Sequence, residues 1–445
     1  MRCLRSALPF LCLAGILFAG DAENRRLYEL LTTGASAQAQ TDAVRAHFSA
    51  KQLGDGSAVA ANGGDFVWAI ESAQTPSLSI DDAPAQALRA LPGNLWVHTA
   101  QVSTGRSHAH FYQVGGKILG DKRFDTAAFG RDSYPQPGVP RGKLSAQMVL
   151  ESQVYRGWKV SYWVYAPPGV DPAVPAPFML WQDGHRFVFP GNPYRLLTVV
   201  ENLVHQNKIP AIVLVFIAPG YIGDFDNSAY VPNANVNRMR SILYDTVNDD
   251  YNKMVLGEIL PSVEKLYKLR TDDYSRASGG QSSGGICAFN MAWWRPDAFS
   301  RVLSRIGSFA ALQWRHGQEN PNGRFGLDNP TDILDSGQTY PVLVRFRERK
   351  NIRVWLQDGN HDQEIPPGSW PLQNIQLANS LKMREYDFHF SFGNAQHNTA
   401  HGDAELPEAM AWLWRGYDPA KTSETFAIDP EEKAKPYFRV AIVNR

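Results

Sequence analysis

The part of the chain after residue 145 alternates continuous apolar runs with amphipathic segments. Apolar runs at Phe178–Gln182 and Ala211–Ala218 predict two buried strands, and the amphipathic segment Leu196–His205 between them predicts a helix. The alternation continues to a last strand at Asp387–Phe392. Because strands that are buried on both faces are continuously apolar, the pattern predicts an α/β fold with a doubly wound, mostly parallel sheet.

The first part of the chain has a different pattern. Short segments such as Phe66–Ile70 and His110–Val114 have a strand-like apolar pattern and are separated by Pro and Gly residues. This spacing predicts a small β-sandwich over residues 63–125. The preceding residues 23–62 are polar and alanine-rich, and they predict a partly flexible extension with one short helix near Leu27–Leu31.

Three further segments are rich in proline, glycine or charge. Tyr134–Gly142 predicts a stiff linker over residues 126–144, ahead of the α/β domain at 145–418. The polar segment Gln313–Ser336 contains glycine and proline and predicts an insertion or lid loop. Residues 419–445 are charged and unpatterned and form a predicted C-terminal tail.

The N-terminus has the features of an export signal. Arg2 and Arg5 precede the apolar run Leu8–Gly20, which is too short for a permanent membrane anchor. We therefore predict a signal peptide over residues 1–22, with cleavage near Ala19–Ala22. The product is then periplasmic or secreted.

Cysteine use predicts a core that is stable without disulfides. Cys3 and Cys12 lie in the predicted leader, which leaves Cys287 alone in the mature chain. An intrachain disulfide is then impossible, so stability must come from packing. Since Cys287 falls on an apolar helix, we expect a buried structural thiol.

Composition narrows the class of protein. The 445 residues include 44 Lys and Arg against 44 Asp and Glu, and this balance argues against binding to nucleic acid or to a membrane surface. Hydrophobic residues make up 44% of the chain, which is enough for a sizeable core.

One short motif suggests a reaction. Gly280-Gln-Ser282-Ser-Gly284 has the Gly-x-Ser-x-Gly form of a nucleophile elbow, in which a serine sits on a sharp turn from a strand into a helix. Glycines two residues before and after the serine allow the close approach of strand and helix. The motif alone also fits a glycine-rich turn that binds phosphate. Ser282 is the candidate nucleophile because Ser283 has Gln281 two residues before it.

A nucleophilic serine needs a base and an orienting acid, and both have candidates further along the chain. Asp362 follows an apolar strand and lies three residues past a glycine, where a loop could turn it towards a histidine. We favour it over Asp358 and Glu364. His397 is the candidate base, and His401 is the second candidate.

The spacing of the two histidines would also suit two metal ligands on one helix face. However, Asn398 and Gly402 predict a loop there, and the chain has no HExxH arrangement. We therefore predict neither a metal nor another cofactor.

An oxyanion hole, formed by donors that stabilise the negative oxygen of the intermediate, would complete the site. The backbone N–H of Ser283, just after the nucleophile, is the first expected donor. The second is expected in the loop after the strand at 178–182, from Gly184 or His185, since glycine permits unusual backbone angles.

At family level the chain resembles the esterase D / enterochelin-esterase-like α/β-hydrolases. The resemblance covers residues 145 to 417 and rests on several motifs in the same order: Trp181–Gly184, Ser282–Phe289, Arg295–Phe299, Gly307–Phe309, Leu356–Asp362, His397–Gly402 and Leu413–Arg415. It implies serine carboxylester hydrolysis without a metal, with Ser282 as nucleophile, His397 as base and Asp362 as acid. It also implies an N-terminal immunoglobulin-like domain. Enterochelin-type members usually have Gly-Gly before the histidine, where this chain has Ala395-Gln396.

Together these features predict an exported serine carboxylesterase whose substrate is a small-molecule or polymer-linked ester of a feruloyl, acetyl or other aromatic type. Three alternatives stay open at this point. They are a siderophore esterase of the enterochelin type, an acyltransferase of the same fold, and a carbohydrate-binding protein whose hydrolase domain is inactive.

Overall fold

The computed structural model describes residues 19–189, 192–222, 234–313 and 336–437. Most of the predicted leader, and residues 314–335 of the predicted lid segment, lie outside the described residues. The described chain forms an N-terminal α+β region and a larger α/β region. Among the described helices, none combines the length and the apolar character needed to cross a membrane.

The N-terminal region has three helices and two antiparallel sheets. Its helices are α1 Ala19–Thr32, α2 Ala37–His47 and α3 Ala50–Asp55. Its strands are β1 Ala58–Asn62, β2 Asp65–Glu71, β3 Ser77–Ile80, β4 Gln86–Ala87, β5 Arg89–Leu91, β6 Leu95–Gln101, β7 Arg106–Val114, β8 Lys117–Ile118 and β9 Phe124–Ala128. The strand orders are β1-β2-β6-β5 in one sheet and β4-β3-β7-β8 in the other, with β9 paired to β7.

Strand β2 shows how these layers pack. Its side chains alternate in direction, so Phe66 and Trp68 join the apolar cluster shared with the second sheet. Val67 and Ala69 point the other way and join the cluster formed with the three helices. The predicted sandwich is confirmed, and helices cover its outer face.

The extension predicted before the sandwich contains the expected helix near Leu27–Leu31, as part of α1, and more regular structure than the sequence indicated. That segment forms helices α1 to α3 and strand β1. Helix α3 begins with a capping box, in which the Ser49 side chain accepts from the Gln52 backbone and the Gln52 side chain accepts from the Ser49 backbone. Each of the three helices buries only one or two apolar side chains (Leu27 and Leu31, Val44, and Leu53), so the apolar stripe is weak in the sequence.

The α/β region is built on one mixed sheet. Its strands are β10 Lys143–Leu144, β11 Met148–Glu151, β12 Lys159–Ala166, β13 Phe178–Gln182, β14 Val213–Ile217, β15 Arg276–Gln281, β16 Arg301–Arg305, β17 Arg353–His361 and β20 Asp387–Gln396. The order is β10-β12-β14-β13-β15-β16-β17-β20, with β11 on β12. Pairing is parallel from β14 to β20 and antiparallel at β12. A small hairpin, β18 Glu364–Ile365 and β19 Gly368–Ser369, stands apart.

Helices cover both faces of this sheet. They are α4 His185–Val188, α5 Leu196–His205, α6 Ala234–Tyr244, α7 Asp250–Met254, α8 Leu260–Val263, α9 Ser283–Trp294, α10 Tyr340–Phe346, α11 Trp370–Met383, α12 Ala400–Ala404, α13 Leu406–Leu413 and α14 Pro430–Ala434. A π-helical turn, Val255–Ile259, joins α7 to α8. One apolar cluster holds α9 and α11 against the sheet, and a second holds α5 and α13 against the opposite face. The predicted doubly wound fold is confirmed.

Two features place the rest of the chain relative to this sheet. Arg195, at the start of α5, is buried and forms an ion pair with Asp21 of α1 at 2.8 Å. The same guanidinium stacks on the rings of Phe129 and Tyr134, so α1 and the connecting segment meet on one side chain. The N–H of Gln313 donates to Oγ of Ser336 at 3.0 Å, which brings the two ends of the predicted lid segment together.

Candidate active site

Ser282 occupies the turn between strand β15 and helix α9. Its backbone angles, φ 57° and ψ −126°, lie in a region that non-glycine residues rarely adopt. A Cβ atom on Gly280 would lie 2.3 Å from the carbonyl oxygen of Gly284, so a side chain at Gly280 could not fit. The two glycines of the motif therefore allow the close approach of strand and helix that holds Ser282 in this conformation.

His397 and Asp362 lie in line with Ser282. The Oγ atom of Ser282 is 2.9 Å from Nε2 of His397, and Nδ1 of His397 is 2.6 Å from Oδ1 of Asp362. Strand β17 ends one residue before Asp362 and its neighbour β20 ends one residue before His397. Adjacent parallel strands thus deliver the acid and the histidine to the same edge of the sheet.

The other two acids considered from the sequence have different partners. Asp358 lies within β17, and its Oδ1 accepts the N–H of Gly359 at 2.8 Å. Glu364 lies on the small hairpin and accepts a hydrogen bond from Ser369. Of the three acids, Asp362 is the one that contacts His397.

Asp358 and Asp362 form a buried pair. Burial, together with the neighbouring Asp362 carboxyl, raises the pKa of Asp358 well above its ordinary value. The Oδ2 atoms of both residues are buried and, among the described residues, receive no hydrogen bond when both groups are ionised. A proton on Asp358 removes this conflict, because a neutral carboxyl can donate to a carboxylate. With this proton on Asp358, the pair holds a single negative charge beside His397.

His401 belongs to a different part of the structure. Its Nδ1 atom lies 3.1 Å from Nε2 of Gln357, and its Nε2 atom lies 3.2 Å from Oγ of Ser391 and from a carboxylate oxygen of Glu405. His397 and His401 thus have separate partners. Within the described ranges, no group of three or more His, Cys, Asp and Glu side chains is arranged to hold a metal ion.

The prediction of a loop through Gly402 is wrong. Gly402 lies inside helix α12, where a Cβ atom would be 2.7 Å from Cδ of Arg305. The glycine is needed for packing against this buried arginine, which forms an ion pair with Asp403 at 2.8 Å. A glycine required by packing cannot be distinguished from a glycine in a turn by sequence alone.

The candidate oxyanion donors differ in what their N–H groups already bind. Ser283 is the first residue of α9, so its N–H has no acceptor within the helix. His185 is the first residue of α4, directly after the loop that follows β13. The N–H of Gly184 instead donates to the carbonyl oxygen of Ile217 at 2.9 Å, so that amide is engaged within the sheet edge.

The expectation of unusual backbone angles at Gly184 is also wrong. Gly184 has helical angles, φ −58° and ψ −27°, and the positive φ of 55° belongs to Asp183. Gly184 lacks a side chain because a Cβ atom would lie 2.5 Å from the backbone of Phe216 and Ile217. The His185 side chain is buried, and burial lowers its pKa to about 3, so its imidazole is neutral near pH 7.

An ion pair fixes the loop beneath these donors. Nε of Arg240 lies 2.8 Å from Oδ1 of Asp183, and a second guanidinium nitrogen lies 2.6 Å from Oδ2. Although burial opposes ionisation of Asp183, the bidentate Arg240 guanidinium lowers its pKa. The Asp183 carboxylate also borders Gly284 of α9, and its pair with Arg240 joins the loop after β13 to helix α6.

Sequence reasoning missed two side chains next to Ser282. Oγ of Ser308 lies 3.3 Å from Oγ of Ser282, and Nε1 of Trp370 donates to Ser308 Oγ at 3.2 Å. Since the Trp370 N–H can only donate, the Ser308 hydroxyl keeps its own proton for Ser282. The Trp370 ring also packs edge-on against His397, with centroids 5.7 Å apart. In the sequence, the position of Ser308 just after strand β16 was a signal that it could belong to the site. Nothing in the sequence marked Trp370 in this way.

The neutral state of Asp358 predicts a pH dependence of stability. Because the folded-state pKa is raised above the unfolded value of about 3.9, the stabilising contribution of the neutral carboxyl is fully present below about pH 4. It is lost as pH rises towards the folded pKa, with a slope of up to about 1.4 kcal/mol per pH unit. Asp358→Asn keeps an acceptor for Gly359 and has no charge to bury. We expect the Tm of this variant to gain on wild type progressively between pH 4.5 and 7.5.

The matched control is Asp42→Asn, since Asp42 is an exposed carboxylate in the N-terminal region. Its Tm should follow wild type across the same pH range in calorimetry. If the curve for Asp358→Asn runs parallel to wild type instead, Asp358 is ionised in the folded protein and the single-charge description of the pair is wrong.

The chain is similar to known esterases in sequence. A family model described as "Putative esterase" matches residues 152–413, more than half of the chain. The iron(III) enterobactin esterase of Dickeya dadantii (strain 3937) is 27% identical over 180 residues, which make up 38% of this chain. The match spans only 36% of the length of that relative.

Solved structures show the same fold. An enterobactin esterase from Shigella flexneri, determined in the presence of 2,3-di-hydroxy-N-benzoyl-glycine, aligns with a TM-score of 0.52 and 15% identity over 80% of this chain and 94% of that chain. A ferric enterobactin esterase from Salmonella typhimurium aligns with a TM-score of 0.50 and 15% identity over 79% and 94% of the two chains. At this identity the likeness concerns the fold. The match of the family model to most of the α/β region shows that the chain belongs to the esterase family of α/β-hydrolases, whose members act on ester bonds.

Proposed function

We propose that the protein hydrolyses carboxylic esters through a serine acyl-enzyme. Ser282 is the nucleophile, His397 the general base and Asp362 the acid that orients the histidine. The observation that carries this proposal is the continuous chain of contacts from Ser282 Oγ to His397 Nε2 at 2.9 Å and from His397 Nδ1 to Asp362 Oδ1 at 2.6 Å. The strained backbone of Ser282 supports the same role.

The reaction follows from this geometry in two halves. Ser282 Oγ attacks the ester carbonyl carbon while its proton passes to Nε2 of His397. The imidazolium then gives that proton to the departing alkoxide, which leaves as an alcohol. Water enters, loses a proton to His397 and attacks the acyl-enzyme, and the carboxylic acid leaves as Ser282 regains its proton. Throughout the reaction Asp362 accepts a hydrogen bond from the Nδ1–H group of His397, so Nε2 is the nitrogen that faces Ser282.

The negative oxygen of each tetrahedral intermediate needs donors. We assign them to the backbone N–H groups of Ser283 and His185, both at the first residue of a helix. The ion pair of Asp183 with Arg240 holds the loop that leads to His185. Ser308 donates to Ser282 Oγ and so leaves the Ser282 proton directed at His397.

Replacement of the nucleophile tests the proposal. Ser282→Ala should lower kcat for p-nitrophenyl acetate by roughly 10⁴-fold or more and abolish labelling by a fluorophosphonate probe. Ser283→Ala is the matched variant, because it removes a neighbouring hydroxyl and leaves the backbone amide in place. It should still be labelled. Full activity in Ser282→Ala would show that this serine is not the nucleophile, and absence of labelling in wild type would favour an inactive scaffold.

The substrate class has two candidates. Feruloyl- or acetyl-type plant esters are the expectation from the sequence. A catecholate siderophore ester is the second, favoured by the similarity to the iron(III) enterobactin esterase of Dickeya dadantii. The Ala395-Gln396 departure from the Gly-Gly of enterochelin-type members weighs against this second candidate.

A hydrolysis panel separates these candidates. Purified protein is assayed on methyl ferulate, acetylated xylan, a catecholate siderophore triester and a polyester, and kcat/KM is measured for each. We expect the two aromatic substrates to exceed the polyester by at least about tenfold, or 1.4 kcal/mol. Preference for the siderophore over methyl ferulate assigns the second candidate, and the reverse order assigns the first. Preference for the polyester would contradict both.

We also propose that the protein is exported by its N-terminal leader. The ion pair of Asp21 with the buried Arg195 favours a cut on the N-terminal side of Asp21, within the range expected from the sequence. N-terminal sequencing of the protein recovered from the periplasm or medium should therefore begin at or before Asp21. A product that begins after Ala22 would show that the mature protein forms without this pair, and a product that retains Met1 would exclude cleavage.

A further inference from the structure

The segment that carries His397 is held by a strand of the N-terminal region. Oδ2 of Asp125, on β9, accepts the backbone N–H of Gln396 at 2.7 Å and the side-chain amide of Asn398 at 2.9 Å. Oδ1 of Asp125 accepts from the Gln396 side chain at 3.4 Å. One carboxylate therefore binds the residues immediately before and after the histidine.

Further contacts extend this attachment. The Gln396 side chain also donates to the carbonyl oxygen of Arg123 at 2.9 Å. Two residues further back, the Asn394 side chain donates to Oδ1 of Asp81 at 3.2 Å. Asp81 is itself fixed by His108, whose Nδ1 atom lies 2.6 Å from Oδ2. The segment from residue 394 to 398 is thus attached at three positions to one face of the N-terminal sheet.

Within the α/β region, the sheet holds this segment only on its N-terminal side. Gln396, the last residue of β20, pairs with His361 of β17. The contact of His397 Nδ1 with Asp362 orients the ring and does not fix the backbone that follows. Helix α12 begins only at Ala400, where the Asn398 side chain accepts the N–H of that residue. Asn398 consequently links the histidine segment to both α12 and Asp125.

We propose that Asp125 is a positioning residue for the reaction and that the N-terminal region, through it, is a working part of the active site. The proposal rests on the proposed function, since its activity readout needs His397 to act as the base. Asp125 touches no reacting atom. It acts by holding the backbone on both sides of His397, so that Nε2 stays within reach of Ser282. A shift of about 1 Å in a catalytic group can cost roughly 100-fold in rate.

The first experiment compares two carboxylates of the N-terminal region in the full-length protein. Asp125→Ala should lower kcat for p-nitrophenyl acetate roughly 10- to 100-fold and change KM by less than about threefold, because substrate binding is not its role. Asp65→Ala is the control, since Asp65 accepts from Gln101 within its own sheet at 3.0 Å. It should leave kcat unchanged. Equal values for Asp125→Ala and wild type would overturn the proposal.

A double-mutant cycle with Asn398→Ala tests whether the effect passes through the histidine segment. If Asp125 acts by holding this segment, the double variant should lose less in kcat than the product of the two single losses. Strictly multiplicative losses would place the effect of Asp125 elsewhere and contradict the proposal.

Hydrogen exchange gives a readout that does not depend on catalysis. Amide exchange in the peptide covering residues 393–400 should become faster in Asp125→Ala and stay at the wild-type rate in Asp65→Ala. If this peptide exchanges faster in Asp125→Ala but the wild-type protein hydrolyses none of the esters, the attachment of the segment is supported and the proposed function is refuted. Unchanged exchange would refute the attachment even in an active enzyme.

Gln396→Ala covers the case in which Asp125→Ala fails to fold. It removes the side-chain bonds to Arg123 and Asp125 from the α/β side and leaves the N-terminal region intact. A smaller loss, about 3- to 10-fold in kcat, and faster exchange in the same peptide are expected. Wild-type values for both would overturn the proposal.

Discussion

The close approach of strand β15 to helix α9 is the constraint on which the site depends. A Cβ atom on Gly280 would overlap the carbonyl oxygen of Gly284, and Ser282 between the two glycines has a positive φ. The neighbouring strand secures this turn, because the Ser282 N–H donates to the Arg305 carbonyl and the Ser308 N–H donates to the Ser282 carbonyl. The backbone of Ser282 is therefore held by backbone hydrogen bonds at both its N–H and its carbonyl group, independently of the other side chains of the site.

Buried charges then position the loops around this turn. Arg305 joins Gln281 at the end of β15 to Asp403 on α12, and Arg240 joins α6 to Asp183. Each charge has a partner of opposite sign, and Asp183, Arg305 and Asp403 are buried. Loss of one member of such a pair leaves the other buried alone and typically costs about 3–5 kcal/mol. The loops that carry the donors and the histidine are thus held at the sheet edge by electrostatics as well as by packing.

Much of the fold and of the candidate site could be predicted from the sequence, because the relevant signals are local. Continuous apolar runs identify strands such as Phe178–Gln182, and the glycine spacing around Ser282 identifies the turn. Of helices α1 to α3, the sequence indicated only part of α1, because each helix buries just one to three side chains among many polar residues. The packing roles of Gly184 and Gly402 could not be predicted, because the atoms that leave no room for a side chain at these positions are remote in sequence.

The contacts of Asp125 show most clearly what could not be predicted from the sequence. Its partners Gln396 and Asn398 are 271 and 273 residues away, and nothing in the apolar pattern of either strand records the contact. The state of Asp358 is similar, since the sequence places Asp362 four residues away and does not show that the two carboxyl groups are buried together. Such features depend on the tertiary arrangement and become visible only when the strands are assembled.

The bond between Gln313 and Ser336 has a consequence for how this enzyme fold can diversify. Gln313 and Ser336 are both buried and are joined by this bond, so the core presents the same two ends to any chain that connects them. Loop-closure entropy grows slowly, by about 0.6 kcal/mol for each doubling of loop length. Segments of different size and composition can therefore be grafted between these two positions, which makes them natural junctions for recombination.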